Sequence, residues 1–410
     1  MRVLMLAHNY LPMMNSAARI SSELAADLRK AGHEVTVLTE RPNRYLATGD
    51  GNGQCDIRNR EIIQGVTVVR VRRLPLPKGI PFFRAGEQLL SYVQYTRAAR
   101  HLPRQDAVFA YSPPLPLALA ALRVARRWNA RTIVNVQDLY PQAAVDLGLL
   151  KSPVLIRLAR RMERAVYSGA DAITVHSDGN RLHVAGHVAA PDKVHTVPNW
   201  IDLDKLRPCQ QGDGQSSLRE RHGFGQDFIV SYAGAMGFAQ GTEAIIKAAA
   251  IVAQKAPSIR FVLAGEGVAL PALQKLVRTE GITNVTFLPH LPEHEYIELL
   301  QSSDASLVTL SPALATPVVP AKLPCIMAVG RPAICSTSPQ SADVRRILDE
   351  AQCGLWVDAS GSAHDLVDAV LRLSENRQEA SRMGANGRAY AERHYRRDMC
   401  TNIYCRLLAN

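Results

Sequence analysis

Apolar runs and helix-period segments alternate along most of the chain. The first apolar run covers residues 3–7 and leads through a polar turn to a helix-period segment at 17–31 and an alternating strand at 34–38. Strand, helix and strand within about forty residues predict a βαβ unit, and therefore a parallel sheet. Gly32 suits the carboxyl cap of the helix.

The same alternation continues to about residue 205 and restarts after it. Further strands are predicted at 66–71, 107–110, 132–136, 172–175, 228–233, 259–264, 285–288, 306–310, 333–336 and 354–357. Further helices are predicted at 86–100, 115–128, 154–168, 242–256, 269–280, 293–301, 322–329, 363–374 and 378–395. The polar, glycine-rich stretch 208–215 has no period and indicates a linker.

The pattern predicts an α/β protein with two doubly wound, Rossmann-like domains that face a common cleft. We place the N-terminal domain at residues 1–205 and the C-terminal domain at 206–385, with a C-terminal helix over 386–410 that packs back on the first domain. Ligands of such domains bind at the carboxyl ends of the strands. Candidate site residues are therefore sought where strands end.

Composition agrees with a folded globular chain, because 47% of the residues are hydrophobic and 21% are charged. We find no apolar stretch of the ~18–20 residues that a membrane span needs. The first apolar run predicts a strand rather than a signal peptide. The seven cysteines contain no Cys-x-x-Cys pair, which favours reduced thiols in a cytoplasm over a structural zinc site.

The formal net charge of +11 lies entirely in the first 205 residues, which hold 28 Lys and Arg against 17 Asp and Glu. A basic surface on one half indicates an anionic partner, such as nucleic acid, an acidic membrane face or a phosphorylated substrate. The alternative is a surface made basic for solubility alone. Because no nucleic-acid-binding motif accompanies the charge, we do not expect a nucleic-acid partner.

The first strand-to-helix turn lacks a Gly-x-Gly-x-x-Gly sequence, which disfavours a nicotinamide dinucleotide there. Asn15 and Ser16 stand at the start of the helix, and Arg19 follows them. Free backbone N–H groups beside an arginine make an anion or acceptor site. The alternative is an ordinary helix cap by Asn15 or Ser16 with a solvated arginine.

Three turns of the second domain carry candidate chemistry. Gly234, Gly237 and Gly241 let a phosphate approach the backbone, although their loop contains no Lys or Arg. In the next turn Glu266 either receives a ligand hydroxyl or faces water. Lys322 follows Pro320 and Ala321 at a helix start, a combination that suits a pyrophosphate. The alternative for Lys322 is a capped core helix with an exposed lysine.

In their order, several segments resemble glycosyltransferase family four across nearly the whole chain. These segments are 32–38, 197–199, 232–234, 263–267, 284–288, 303–305, 327–332 and 383–388. Segments 138–145 and 320–323 resemble the bacterial polysaccharide branch that includes colanic-acid and O-antigen fucosamine transferases. The resemblance implies a GT-B fold, a nucleotide-sugar donor on the C-terminal domain, an acceptor on the N-terminal domain, and retention at the anomeric carbon without metal or cofactor.

The chain departs from the family pattern at positions that bind the donor. Pro317 and Cys325 stand where the family has paired glutamates for the donor sugar and the ribose. Ala235 and Gln240 stand where it has diphosphate-binding arginine and lysine. The family's His-Asp pair at the fourth strand end is Gln137-Asp138 here. The positive charge for the diphosphate must therefore come chiefly from Lys322, its helix start and Arg19.

The resemblance implies a role for each candidate. We expect Asp138 and Lys322 to be catalytic, Gly237, Gln240, Ala321 and Lys322 to bind the diphosphate, and Glu266, His290, Leu291 and Cys325 to bind the nucleotide. Asp138 orients or deprotonates an acceptor hydroxyl, or it merely caps the following turn. His290 stacks on uracil or faces solvent. No metal ligand is expected.

The expected function is transfer of a sugar, a UDP-linked N-acetylated or 6-deoxy hexose, to a lipid-linked saccharide in the synthesis of cell-surface polysaccharide or lipopolysaccharide O-antigen. The missing glutamates keep two alternatives open. One is a catalytically degenerate nucleotide-sugar-binding partner subunit. The other is an enzyme like the UDP-N-acetylglucosamine 2-epimerases, although their histidine and acidic cluster is not visible here.

Two segments of the basic half combine arginines with apolar residues. They cover residues 78–104, including Arg84, and 151–167, including Arg160, Arg161 and Arg164. Such segments bind anionic membranes. We therefore expect a cytoplasmic protein, peripheral on the inner face of the cell membrane, with a polyprenyl-diphosphate-linked saccharide as acceptor. Core helices with solvated arginines are the alternative.

Overall fold

The chain folds into two compact units. A computed structural model describes residues 1–13, 15–41, 59–71, 81–209 and 215–409, with helical backbone alone at 81–89 and 215–217. The first unit comprises Met1–Val145, Leu150–Asn199 and Asp398–Asn410, and the second comprises Asp146–Leu149 and Trp200–Arg397. The main stretch of the second unit thus runs from Trp200 to Arg397, whereas we predicted boundaries at 205 and 385.

Two sheets organise the described chain. Their strands are β1 (Arg2–Ala7), β2 (Glu34–Glu40), β3 (Arg60–Ile63), β4 (Val66–Val71), β5 (Ala107–Ser112), β6 (Arg131–Val136), β7 (Ala172–Val175), β8 (Val194–Thr196), β9 (Phe228–Ala233), β10 (Ile259–Ala264), β11 (Val285–Leu288), β12 (Ala305–Thr309), β13 (Ala333–Thr337) and β14 (Gly354–Asp358).

Helices connect most of these strands. They are α1 (Ser16–Lys30), α2 (Pro81–Ala99), α3 (Leu115–Trp128), α4 (Gln142–Asp146), α5 (Pro153–Gly169), α6 (Asp178–Ala185), α7 (Gln215–Arg221), α8 (Glu243–Lys255), α9 (Leu270–Thr279), α10 (Glu293–Ser302), α11 (Lys322–Ala328), α12 (Ala342–Ala351), α13 (Ala363–Glu375), α14 (Arg377–His394) and α15 (Arg397–Ala409).

The sheet of the first unit has the strand order β3-β4-β2-β1-β5-β6-β7-β8. Its pairs are parallel except for β3 with β4, which form an antiparallel edge hairpin. The sheet of the second unit has the order β11-β10-β9-β12-β13-β14 and is parallel throughout. Both orders are doubly wound, as the alternation of strands and helices predicts. The reversal points of such sheets are where ligands bind.

The central strands are buried along their length, as expected for parallel sheets covered by helices on both faces. In β1 the side chains from Val3 to Ala7 are at most 1% exposed, and β9 is buried throughout. Gly32, with φ of +88°, ends α1, and its N–H donates to the carbonyl of Arg29. The predicted carboxyl cap is therefore present.

The prediction omitted β3, β8 and several short helices, α4, α6 and α7, as well as α12. The edge strand β3 has only four residues and alternates between exposed and half-buried side chains. Its hairpin turns through Gln64 and Gly65, both at positive φ, the conformation of a two-residue turn. Such short elements carry too little hydrophobic pattern to stand out.

The C-terminal segment breaks into two helices where one was expected. Around the break, the N–H of Ile201 donates to the carbonyl of Tyr395, and Ile201 pairs with Arg396. Only α15 then belongs to the first unit, where the Tyr404 hydroxyl is buried against Asn135 and Thr174, at 2.9 and 3.2 Å. A hydrogen bond between buried groups fastens α15 to β6 and β7.

No helix in the described part of the chain is long and apolar enough to cross a membrane.

We expect Tyr404→Phe to destabilise the first unit by about 1–2 kcal/mol, because it removes one of the two acceptors of the buried Asn135 amide, the other being Thr174 Oγ1. Urea denaturation followed by circular dichroism measures the change. Tyr92→Phe is the matched control, since this half-buried tyrosine of the same unit lies outside the hydrogen-bond network; its change should stay within about 0.5 kcal/mol. Equal stability of the two variants would contradict the role given to the Tyr404 hydroxyl.

Candidate active site

Two glycine turns meet at the carboxyl ends of β9 and β10. Gly234 and Gly265 both have strongly positive φ, +139° and +138°. A Cβ added to Gly265 would lie 2.0 Å from the carbonyl oxygen of Gly234, so the two backbones touch where no side chain fits. Such a surface lets a ligand approach main-chain groups directly.

Lys322, the first residue of α11, reaches this surface. Its Nζ lies 3.8 Å from the centre of the Tyr232 ring, and a Cβ on Gly234 would come within 3.2 Å of it. The Nζ atom is buried, and no hydrogen-bond acceptor lies within its reach in the part of the chain that the structure describes. The lysine is therefore not the exposed residue that the alternative interpretation predicted.

Burial lowers the pKa of Lys322 from its ordinary value of 10.5 to about 7. An ammonium without water or acceptor is unfavourable, so the side chain loses its proton more easily. Near neutral pH the group therefore exists in both protonation states. A negatively charged ligand at the glycine turns would supply the missing partner.

The loop after β9 is already internally bonded. The N–H of Gly237 donates to Gln240 Oε1 at 3.1 Å, and that of Met236 donates to the carbonyl of Glu266 at 2.8 Å. Gln240 thus closes the turn in which the family has a lysine. Of the two candidates here, Gly237 offers a phosphate an N–H only if the Gln240 side chain moves away.

The remaining predicted donor residues lie in the same unit, after β10 and β11 and on α11. Glu266 and His290 are exposed, and Leu291 is half-buried. The Cys325 thiol turns back to donate to the carbonyl of Ala321 at 3.3 Å. Because α11 has only seven residues, its peptide dipoles add little, and the positive charge at this site is chiefly that of Lys322.

Asp138 lies directly beyond the carboxyl end of β6 in the first unit. Its side chain reaches solvent, yet the dense protein around it raises the pKa of its carboxyl, while the imidazole of His176 acts in the opposite direction. His176 follows β7, the neighbouring strand, and its Nε2 lies 3.4 Å from Asn180 Nδ2. Neither His176 nor Asn180 was among the predicted site residues, although His176 occupies a strand-end position.

Gln137, which stands where the family has histidine, is held by its neighbours. Its Nε2 donates to Asn135 Oδ1 at 2.8 Å and to Asn199 Oδ1 at 3.0 Å, and its Oε1 accepts from Asn199 Nδ2 at 2.8 Å. This amide is therefore occupied by structural bonds. Asp138 and His176 lie beyond the carboxyl ends of the neighbouring strands β6 and β7.

The start of α1 is an ordinary helix cap. Asn15 Oδ1 accepts from the N–H of Ala18 at 2.9 Å, and Ser16 is the first helical residue. Arg19 forms an ion pair with Glu23 at 2.9 Å. The cap that we weighed as the alternative is thus present, while the anion-binding role of Asn15, Ser16 and Arg19 stays a prediction.

Within the described residues, no group of three or more His, Cys, Asp or Glu side chains is placed to hold a metal ion.

Two family profiles match most of the chain. The "Glycosyl transferase 4-like domain" matches residues 16–200, and "Glycosyl transferases group 1" matches residues 215–390. Their junction, at residues 201–214, lies just after the start of the second unit at Trp200. The profiles thus divide the chain much as its own contacts do.

Individual relatives extend over nearly the same length. The chain is 26% identical over 340 residues to WcaI of Escherichia coli strain K12, a glycosyl transferase named for colanic acid biosynthesis, and this covers 82% of the chain and 83% of WcaI. It is 25% identical over 398 residues to a GDP-mannose-dependent alpha-mannosyltransferase of Mycobacterium tuberculosis, covering 95% and 93%. Among solved structures, HepE of Anabaena, bound to UDP and glucose, has a TM-score of 0.74 at 14% identity and covers 100% of each chain. The fold is GT-B.

Lys322→Met is expected to stabilise the free protein by on the order of 1–3 kcal/mol at pH 6, because it removes a buried ammonium that has no acceptor. The gain shrinks as the pH rises from about 7 towards 10.5, since the unfolded wild-type chain binds the extra proton throughout that window and the folded chain does not. Thermal unfolding at several pH values measures both effects.

Lys247→Met is the control, because this exposed lysine pairs with Glu243 on the surface of α8 and its loss should change stability by less than about 0.5 kcal/mol. A lower unfolding temperature of Lys322→Met than of wild type at pH 6 would contradict the prediction.

Proposed function

Because the chain belongs to glycosyltransferase family four, we propose that it transfers a sugar, with retention, from a UDP-linked hexose to a lipid-linked saccharide. A nucleotide-sugar donor is supported by the GDP-mannose-dependent relative and by the UDP bound to HepE. The donor base, the sugar and the acceptor are the parts that this proposal adds. The arrangement of the candidate residues supports each of these three parts.

The buried Nζ of Lys322 is the observation that carries the proposal. A protein that folds with an unpaired ammonium at a side-chain-free backbone surface gains most from an anion of matching size. The diphosphate of a nucleotide sugar is such an anion, and its charge grows as the sugar leaves. A preorganised cation in a dry site stabilises that growing charge strongly. Lys322 is therefore the proposed catalytic cation.

Retention requires the acceptor oxygen to approach the face that the nucleotide leaves. The departing diphosphate oxygen then takes the acceptor's proton, so the protein needs no strong base of its own. Asp138, near His176, is proposed to hold an acceptor hydroxyl by a hydrogen bond. Its exposed carboxylate can accept that bond without moving the buried groups around it.

UDP is the proposed nucleotide. HepE was solved with UDP, whereas one relative uses GDP-mannose, so the fold itself permits either. Here the exposed ring of His290 and the half-buried Leu291 offer a small platform, which suits a pyrimidine. Pro317 leaves the sugar without the hydroxyl-binding glutamate of the family, which favours an N-acetylated or 6-deoxy hexose.

A non-catalytic nucleotide-sugar-binding subunit is the second candidate, since Pro317 and Cys325 supply no carboxylate. Such a protein would bind UDP-sugars and transfer none. An enzyme like the 2-epimerases would instead release a 2-epimerised sugar without any acceptor.

Helix α5 supports a membrane-bound acceptor. Val154, Leu155 and Leu158 are exposed by 68%, 42% and 48%, and the exposed arginines of the same helix are Arg157, Arg160, Arg161 and Arg164. Apolar contact combined with positive charge favours an anionic lipid surface. We infer peripheral attachment to the inner face of the cell membrane, where a polyprenyl-diphosphate-linked saccharide for polysaccharide or O-antigen synthesis is available.

The other predicted membrane segment is only partly described. Residues 78–80 lie outside the described residues, and so do the side chains of 81–89, including Arg84. The membrane proposal therefore rests on α5.

We expect calorimetry to show that the protein binds UDP in preference to GDP. Lys322→Ala should weaken UDP binding and reduce sugar transfer by about a hundredfold, because one contact to developing charge contributes ~3 kcal/mol. The transfer assay uses UDP-sugars with isolated lipid-linked saccharides. Lys247→Ala is the control and should retain both activities. Preference for GDP-mannose over every UDP-sugar would overturn the donor, and tight binding without transfer or epimerisation would favour the non-catalytic subunit.

Co-sedimentation with vesicles tests the membrane proposal. We expect binding to phosphatidylglycerol vesicles at low salt, little binding to phosphatidylcholine vesicles, and release by salt, because each basic residue near the surface contributes ~1 kcal/mol that salt screens. Arg160→Glu/Arg161→Glu should lose binding. Lys275→Glu/Arg278→Glu on α9, exposed residues of the second unit with the same change in charge, should keep it. Equal loss in both double variants would show that net charge alone acts.

A further inference from the structure

We propose that Tyr232 is a positioning residue whose ring holds the Lys322 side chain in the free enzyme. This contact thereby couples binding of the donor diphosphate to uptake of one proton. This inference rests on the proposed function of Lys322. It adds a residue that sequence patterns place in the core of a strand. It also adds a chemical step that the proposed donor site alone does not require.

Tyr232 is fixed from two sides. The residue is fully buried in β9, and its hydroxyl donates to the carbonyl of Ala235 at 2.6 Å, across the turn that contains Gly234. Its ring is therefore a rigid face directly beside the glycine turn. Lys322 Nζ, 3.8 Å above the ring centre, is held where a diphosphate would arrive.

A ring is a weaker partner for an ammonium than water or a phosphate. Burial raises the pKa of Tyr232, so the phenol stays neutral and attracts the ammonium only through its π face. The other titratable groups of the elements that meet here are Glu266 in the turn after β10, Cys325 on α11, and Arg260, which lies near the opposite end of β10 and pairs with Asp227. Burial is the cause of the lowered pKa of Lys322, and the ring only partly offsets it.

An arriving diphosphate reverses this balance. Its charge favours the ammonium, so the neutral amine takes one proton from solvent as the complex forms, and the proton returns to solvent when the nucleotide leaves. Below about pH 7 the ammonium already exists and little uptake occurs. Above that pH, each binding event consumes a proton, and affinity falls by up to about tenfold per pH unit.

Two variants separate the ring from the hydroxyl. Tyr232→Phe keeps the π face and should keep both proton uptake and the pH dependence of UDP binding, with affinity within about threefold of wild type. Tyr232→Leu removes the face and leaves roughly the space of one water, with Nζ and the Ala235 carbonyl as its partners. Water then solvates the ammonium, so its pKa returns towards 10.5.

Calorimetric titration with UDP at pH 7.5–9.5, in buffers of low and high ionisation enthalpy, measures the number of protons taken up on binding. In this range the phosphates of UDP no longer titrate, since their last pKa is about 6. At pH 8 wild type and Tyr232→Phe should take up close to one proton per UDP. Tyr232→Leu should take up little proton and show a flat pH profile. UDP binding by Tyr232→Leu with the wild-type profile and uptake would overturn the inference.

A failure of the proposed donor is distinguishable from a failure of this inference. If wild type binds no UDP, the donor proposal is wrong, and the role of Tyr232 is decided in the free enzyme. There, the stability difference between each protein and its Lys322→Met derivative should depend on pH above 7 in wild type and Tyr232→Phe and be nearly independent of it in Tyr232→Leu. The same pH dependence in all three would overturn the inference.

Discussion

The candidate site of the second unit depends on one constraint, the burial of a charged group. The Nζ of Lys322 is buried without a hydrogen-bond acceptor in the described chain. An ammonium in this position raises the free energy of the empty protein. The fold tolerates it because Tyr232 supplies a π face and because the group can lose its proton. The same features that make the free site unfavourable make an anion a good partner for it.

Glycine is required at this site for a geometric reason. Gly234 must leave room for the lysine, and Gly265 must touch the Gly234 carbonyl at a positive φ. A side chain at either position would push apart the ends of β9 and β10 or displace the ammonium. The same glycines therefore allow the two strands to pack closely and leave the backbone open at the strand ends, where parallel sheets bind ligands.

Hydrophobic periodicity was enough to predict the two parallel-sheet units, because long buried strands and amphipathic helices carry a strong pattern. The turn glycines and Lys322 could also be found, since their spacing after strands is local. The partner of Lys322 could not be found from the sequence, because Tyr232 has the pattern of any core strand residue. Only the tertiary structure shows its ring next to the ammonium. His176 was missed for the same reason, since only the pairing of β7 with β6 brings it close to Asp138.

In each unit a glutamine that stands where the family has a basic residue is engaged in internal hydrogen bonds. In the first unit Gln137 exchanges hydrogen bonds with Asn135 and Asn199, so a buried amide costs little and is unavailable to a ligand. In the second unit Gln240 likewise closes the Gly237 turn, and beside the glycine turns the Lys322 Nζ has no acceptor in the described chain. Glutamine thus stands at both positions where the family has basic residues, and the proposed recognition of the diphosphate rests on one cation, Lys322, whose proton is exchangeable near neutral pH.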